Sequence, residues 1–91
     1  MKLYLITQSA NNGYDTYDSA VVAARTQEEA RYTYPSEYYT WQEGQWRYHN
    51  GVLRDWAPTD WAHPDDVTVT YLGTAKRGTK AGVITASFNA G

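Results

Sequence analysis

The sequence predicts an α+β fold: a mostly antiparallel sheet with one short helix packed on one face, in the order β-β-α-β-β-β-β. Three observations predict it. Asp18 to Pro35 reads as a buried strand that runs into a short capped helix. Val67 to Leu72 and Gly82 to Phe88 divide their side chains between two faces, as half-buried antiparallel strands do. Asn50-Gly51 is the favoured type I′ pair for a two-residue hairpin.

Taken in order, Lys2 to Gln8 is the first strand. Leu3 and Leu5 point to one face, Tyr4 and Ile6 to the other. Both faces are apolar, which places the strand centrally. Ser9 to Asp18 is a hairpin loop, with Asn12-Gly13 as its turn signal. Val21 and Val22 in the second strand are β-branched, and Ala20, Ala23 and Ala24 are small enough to sit under a helix. That helix is expected over Gln27 to Tyr34. Thr26 and Glu29 spell a capping box, and Pro35 pushes Tyr34 away from helical angles. Ala30 and Tyr34 share a face that should lie on the sheet, while Arg31 is expected to be solvated, its stem over the sheet. A helix this short is not stable alone in water, so it must lean on that sheet.

The Asn50-Gly51 turn is expected to join Gln45–His49 to Val52–Trp56. Trp46, Tyr48 and Leu53 then share the core face, and Arg47 sits opposite Arg54, a mildly destabilising like-charge pair. Ala57 to Asp66 is loop, with Trp61 tucked back as a lid. In Val67 to Leu72 the residues Val67, Val69 and Tyr71 face inward. Gly73 to Gly82 is a polar hairpin loop with Lys76, Arg77 and Lys80 near its tip. In the last strand Ile84, Ala86 and Phe88 share one face.

The 91 residues suit one domain, spanning 1–91. A net charge of -2 argues against nucleic acid as the main partner, since bulk binding to phosphates needs positive charge. Zero Cys removes disulfides and thiolate metal sites and suits a reducing cytosol. The apolar run near the N-terminus is too short for a signal peptide, and no stretch reaches the length of a membrane span. No nucleophile elbow, phosphate-binding loop or metal spacing is present, so no catalytic residue, cofactor or metal is assigned and the chain is not expected to be an enzyme. Asp15 and Asp18 read as turn residues rather than metal ligands. Aromatics make up 15% of the chain and are nearly all Tyr and Trp, amphipathic rings that suit a binding surface.

The stretches NNGYDTYDSAVVAA with TQEEAR, and WAHPDDVTVTYLG with GVITASFNAG, resemble small proteins encoded by phages and prophages. The resemblance covers nearly the whole chain. It implies an accessory gene product acting in the cytoplasm of an infected bacterial host. By analogy with anti-CRISPR proteins, it implies a binder that inhibits a host defence complex. The anchors expected for that protein partner are Trp41, Trp56, Trp61, Arg47 and Arg54, because rigid aromatics and Arg dominate binding energy. Lys76, Arg77 and Lys80 form a second, electrostatic patch. The structural alternative is that several Trp complete a small core, and Trp46 is assigned there. The alternative function is sequestration of a nucleotide signal, with aromatics stacking the base and Arg47 and Arg54 holding phosphate. An open strand edge would permit a homodimer, but the sequence does not show which edge.

Overall fold

A computed structural model describes residues 1–11, 13, 15–48 and 60–89. Its main sheet has four strands: β1 (Lys2–Thr7), β2 (Thr16–Ala24), β5 (Thr68–Thr74) and β6 (Gly82–Asn89). Their order is β5-β1-β2-β6, and every neighbouring pair is antiparallel. The helix α1 (Gln27–Arg31) follows β2, and a two-stranded hairpin of β3 (Tyr39–Gln42) and β4 (Gln45–Tyr48) follows the helix. The α+β expectation therefore holds at the level of a mostly antiparallel sheet carrying one short helix.

The central place of β1 follows from its two apolar faces. Tyr4 and Ile6 are buried in the core with Ala20, Val22 and Ala24 of β2. Leu3, Leu5 and Val21 are half-buried, among the alternate residues of the same strands. The first strand pair is wider than expected, because β2 begins at Thr16 rather than after Asp18. The register shifts between Tyr17 and Ser19, so Asp18 is an extra, exposed residue in the ladder. A second shift between Val21 and Val22 leaves Ile84 unpaired and lets Val83 pack on the core. The simple alternation expected in the last strand fails there. In the neighbouring ladder Leu72 is passed over in the same way. Val67 is buried but precedes β5, and Tyr71 is largely exposed with its ring edge against Tyr4.

The helix is shorter than the expected Gln27 to Tyr34. It closes at Tyr32, and the Thr33 N–H bonds to the Ala30 carbonyl, a tightened last turn before the restricted residue Tyr34. Half of the capping box forms. Thr26 Oγ1 accepts the Glu29 N–H at 3.1 Å, while no return bond from the Thr26 N–H to the Glu29 carboxylate occurs. Thr26→Ala is expected to cost about 1 kcal/mol, read as a lower denaturant midpoint, and Thr26→Ser should retain most of the stability. Ala30 and Tyr34 are buried on the sheet as expected.

The middle hairpin differs most from expectation. β4 pairs backwards with Tyr39–Gln42 across Glu43-Gly44, and does not use Asn50-Gly51 to make this pair. Glu43 and Gly44 both take positive φ, 52° and 82°, the requirement of a type I′ turn. Glu rarely accepts that conformation, but here its carboxylate is held by Arg47 at 3.1 Å. The pairing also sets Tyr39 opposite Tyr48 and Trp41 opposite Trp46, aromatic cross-strand pairs that stabilise a hairpin. Arg47 therefore faces Thr40 across this ladder. The Asn50-Gly51 turn, the arm Val52–Trp56 and the Arg47–Arg54 pairing lie outside the described residues.

Candidate interaction surface

The aromatic face of the hairpin lies over the helix side of the sheet. Tyr34 is the hub: its ring meets Tyr39 at 4.8 Å and the edge of Trp46 at 5.0 Å. Trp46 is buried, as the sequence indicated, and its Nε1–H donates to the Ala62 carbonyl at 3.0 Å. Tyr48, assigned to the core, is instead at the rim, with its ring 5.1 Å from Tyr39.

The segment Asp60 to Val67 is tied down along its whole length, although the sequence reads as plain loop there. The Tyr34 hydroxyl donates to Asp60 Oδ1, and the Tyr17 N–H donates to the Asp60 carbonyl. Asn11 Nδ2 donates to the Trp61 carbonyl. A 3₁₀ turn, Pro64–Asp66, is capped by His63, whose Nδ1 accepts the Asp65 N–H. Arg31 donates to the carbonyls of Pro64 and Val67. The expected solvated role of Arg31 is thus corrected: its guanidinium satisfies backbone acceptors that a loop would otherwise leave unpaired.

The expected anchors separate. Trp61 is only 1% exposed, so it fills the core and offers no surface to a partner. Its Nε1 is buried without a hydrogen-bond partner, as is Nε of Arg47. Arg47 is mostly buried along its side chain and committed to Glu43. Trp56 and Arg54 lie outside the described residues. Trp41 remains half-buried at the surface. Its ring is braced by Tyr32 at 5.6 Å, Trp46 at 5.1 Å and His63 at 5.1 Å. Beside it runs a cleft of about 200 Å³ lined by Trp41, Trp46, Trp61, His63 and Asn11 among others. Tyr48 at the rim extends the patch through Tyr39, whereas exposed Tyr38 lines a separate cleft with Tyr17 and Val83. The sequence missed Tyr32 and His63 in this surface, because their role depends on the return of the 60–67 segment, not on local spacing.

Lys76, Arg77 and Lys80 are exposed in the loop between β5 and β6. That loop crosses the end of the sheet where β1 starts and β2 finishes, and the Ala75 N–H bonds to the Met1 carbonyl. Topology therefore adds exposed Lys2 and Arg25 to the basic patch. Asp15, Asp18, Asp60, Asp65 and Asp66 sit toward the opposite end, beside the start of β2 and of β5. Exposed Glu28 and Glu29, in the first turn of α1 just after Arg25, offset part of the positive charge at the basic end. Among the described residues no group of three His, Cys, Asp or Glu side chains could hold a metal ion, and no helix is long and apolar enough to cross a membrane.

Tyr17 titrates above the usual tyrosine range. Burial raises its pKa above 10.0, helped by the charge of nearby Asp60 and by Tyr38, and opposed by a hydrogen bond with Ser36. A pKa raised in the fold means stability that is whole below pH 10 and is lost as pH climbs through the folded value. Thermal midpoints should therefore fall more steeply above pH 10 in the natural chain than in Tyr17→Phe.

Comparison with known protein families, with curated proteins and with solved structures finds no match.

Proposed function

We propose that this chain is a non-enzymatic binding protein that docks on a protein partner through the aromatic patch centred on Trp41. In line with the phage resemblance, we take that partner to be a host defence complex whose working surface is covered. The observation that carries the reading is the bracing of Trp41. An indole held by three aromatic neighbours, yet still open to solvent, loses little freedom when a partner covers it. Such rigid, amphipathic rings are where binding energy concentrates. His63 and Tyr32 frame the anchor, and Tyr48 supplies the periphery. The basic end gives a second point of contact and an electrostatic approach. The nucleotide alternative is less favoured, because the Arg47 guanidinium is already engaged by Glu43.

The test is Trp41→Ala, with capture of proteins from a bacterial host lysate and denaturant unfolding run on the same preparations. Trp41→Ala should weaken capture at least tenfold, which corresponds to about 1.4 kcal/mol, with the unfolding transition still cooperative. Capture unchanged by Trp41→Ala would defeat the proposal. A nucleotide that raises the thermal midpoint sharply would favour sequestration instead.

A further inference from the structure

We propose that two copies of this chain pair edge to edge through β6, antiparallel about a two-fold axis at Ala86, joining two four-stranded sheets into one. The strand order leaves β6 at the end of its sheet, so among the described residues one side of its backbone has no strand partner. The strand Gly-Val-Ile-Thr-Ala-Ser-Phe-Asn holds no charge and no Pro, the two residue classes that most often block edge pairing. A strand without charge can meet its own copy with no like-charge penalty.

The two edges of the sheet are not equivalent. The helix packs mainly over β1, β2 and β5. Beside β6 this leaves a cleft of about 520 Å³ lined by Tyr17, Pro35, Tyr38 and Val83 among others. The β6 side chains Ile84 and Phe88 are 52% and 48% exposed. Phe88 is already turned toward Tyr17, with ring centroids 4.8 Å apart.

Side-chain rows decide the register. Centring the two-fold on Ala86 places Ala86 against Ala86 of the second copy, where small side chains allow close approach. Thr85 then meets Ser87 of the second copy, a hydroxyl pair. Ile84, displaced by the register shift beside Val22, comes near Phe88 of the second copy, so the two large exposed apolar residues approach one another. Phe88 of the second copy arrives next to Val83 and the cleft. Centring on Thr85 would set Phe88 against Gly82 and leave the ring uncovered. An isologous contact of this kind closes at two copies and does not propagate.

The absence of Cys makes the test direct. Ala86→Cys introduces a single thiol per chain at the proposed axis, and Thr85→Cys introduces one in the neighbouring row. With mild diamide oxidation, Ala86→Cys should form a covalent dimer at least tenfold faster than Thr85→Cys. The natural chain should show a concentration-dependent rise in mass from 10.3 kDa toward twice that value by sedimentation. Ile84→Arg, an exposed substitution, should remain monomeric while keeping its circular dichroism. Equal oxidation rates for the two thiols, a natural chain that stays monomeric at every concentration, or a dimer that persists in Ile84→Arg would each overturn the proposal.

Discussion

Trp61→Ala is expected to remove about 3–5 kcal/mol of stability. A domain of this size holds together by roughly 5–15 kcal/mol, so the loss is a large fraction of the total. The physical reason is the position of the indole. Trp61 is among the largest fully buried side chains, in the cluster with Tyr34, Trp46 and Ala62. Its removal leaves a void under a segment that has no regular secondary structure to close over it. Trp61→Phe should cost clearly less. Phenylalanine restores most of the volume and removes an N–H buried without a partner, a defect that costs about 1–3 kcal/mol. Urea unfolding followed by circular dichroism reads both values. A Trp61→Ala midpoint within error of the natural chain would contradict the assignment of Trp61 to the core.

The second large effect is expected at Trp46. Its ring packs edge-on against both Tyr34 and Trp41, and its Nε1–H closes the hydrogen bond to Ala62. Trp46→Ala should therefore cost about 3–5 kcal/mol and also loosen Trp41, which leans on it. Trp46→Phe keeps much of the packing but strands the Ala62 carbonyl, for an expected loss of about 1–3 kcal/mol. Partner capture should fall in Trp46→Ala together with stability. In Trp41→Ala, a half-buried site, capture should fall as far while the stability loss is smaller than in Trp46→Ala. That contrast separates a residue that supports the surface from one that forms it.

The legible parts of the fold were those set by local chemistry. The two apolar faces of Lys2 to Thr7 placed β1 centrally, and Thr26 marked the start of the helix. Trp46 was assigned to the core from alternation alone. The parts that were not legible depend on contacts distant in sequence. The hairpin across Glu43-Gly44 was missed because Glu is a poor turn residue by local preference. The aromatic pairs Tyr39 with Tyr48 and Trp41 with Trp46 outweigh the conformational cost at Glu43. Trp61 and Arg31 were misplaced for a related reason. The loop around Trp61 is built by hydrogen bonds from Asn11, Tyr17, Arg31, Tyr34 and Trp46, and none of these is near it in sequence. The basic patch at Lys76, Arg77 and Lys80 was visible as a run, but its extension to Lys2 and Arg25 required the strand order.

The account rests on the aromatic hairpin and the 60–67 segment being fused to the sheet core, so that Trp46 and Trp61 open only when the whole domain unfolds. Hydrogen exchange of the indole N–H groups, followed by NMR, tests this most directly. Both groups should exchange at the rate set by global unfolding, matching the slowest backbone amides of β1 and β2. Exchange of either indole at the rate of an unfolded chain, while β1 and β2 stay protected, would show a second layer that detaches from the sheet and would contradict the account.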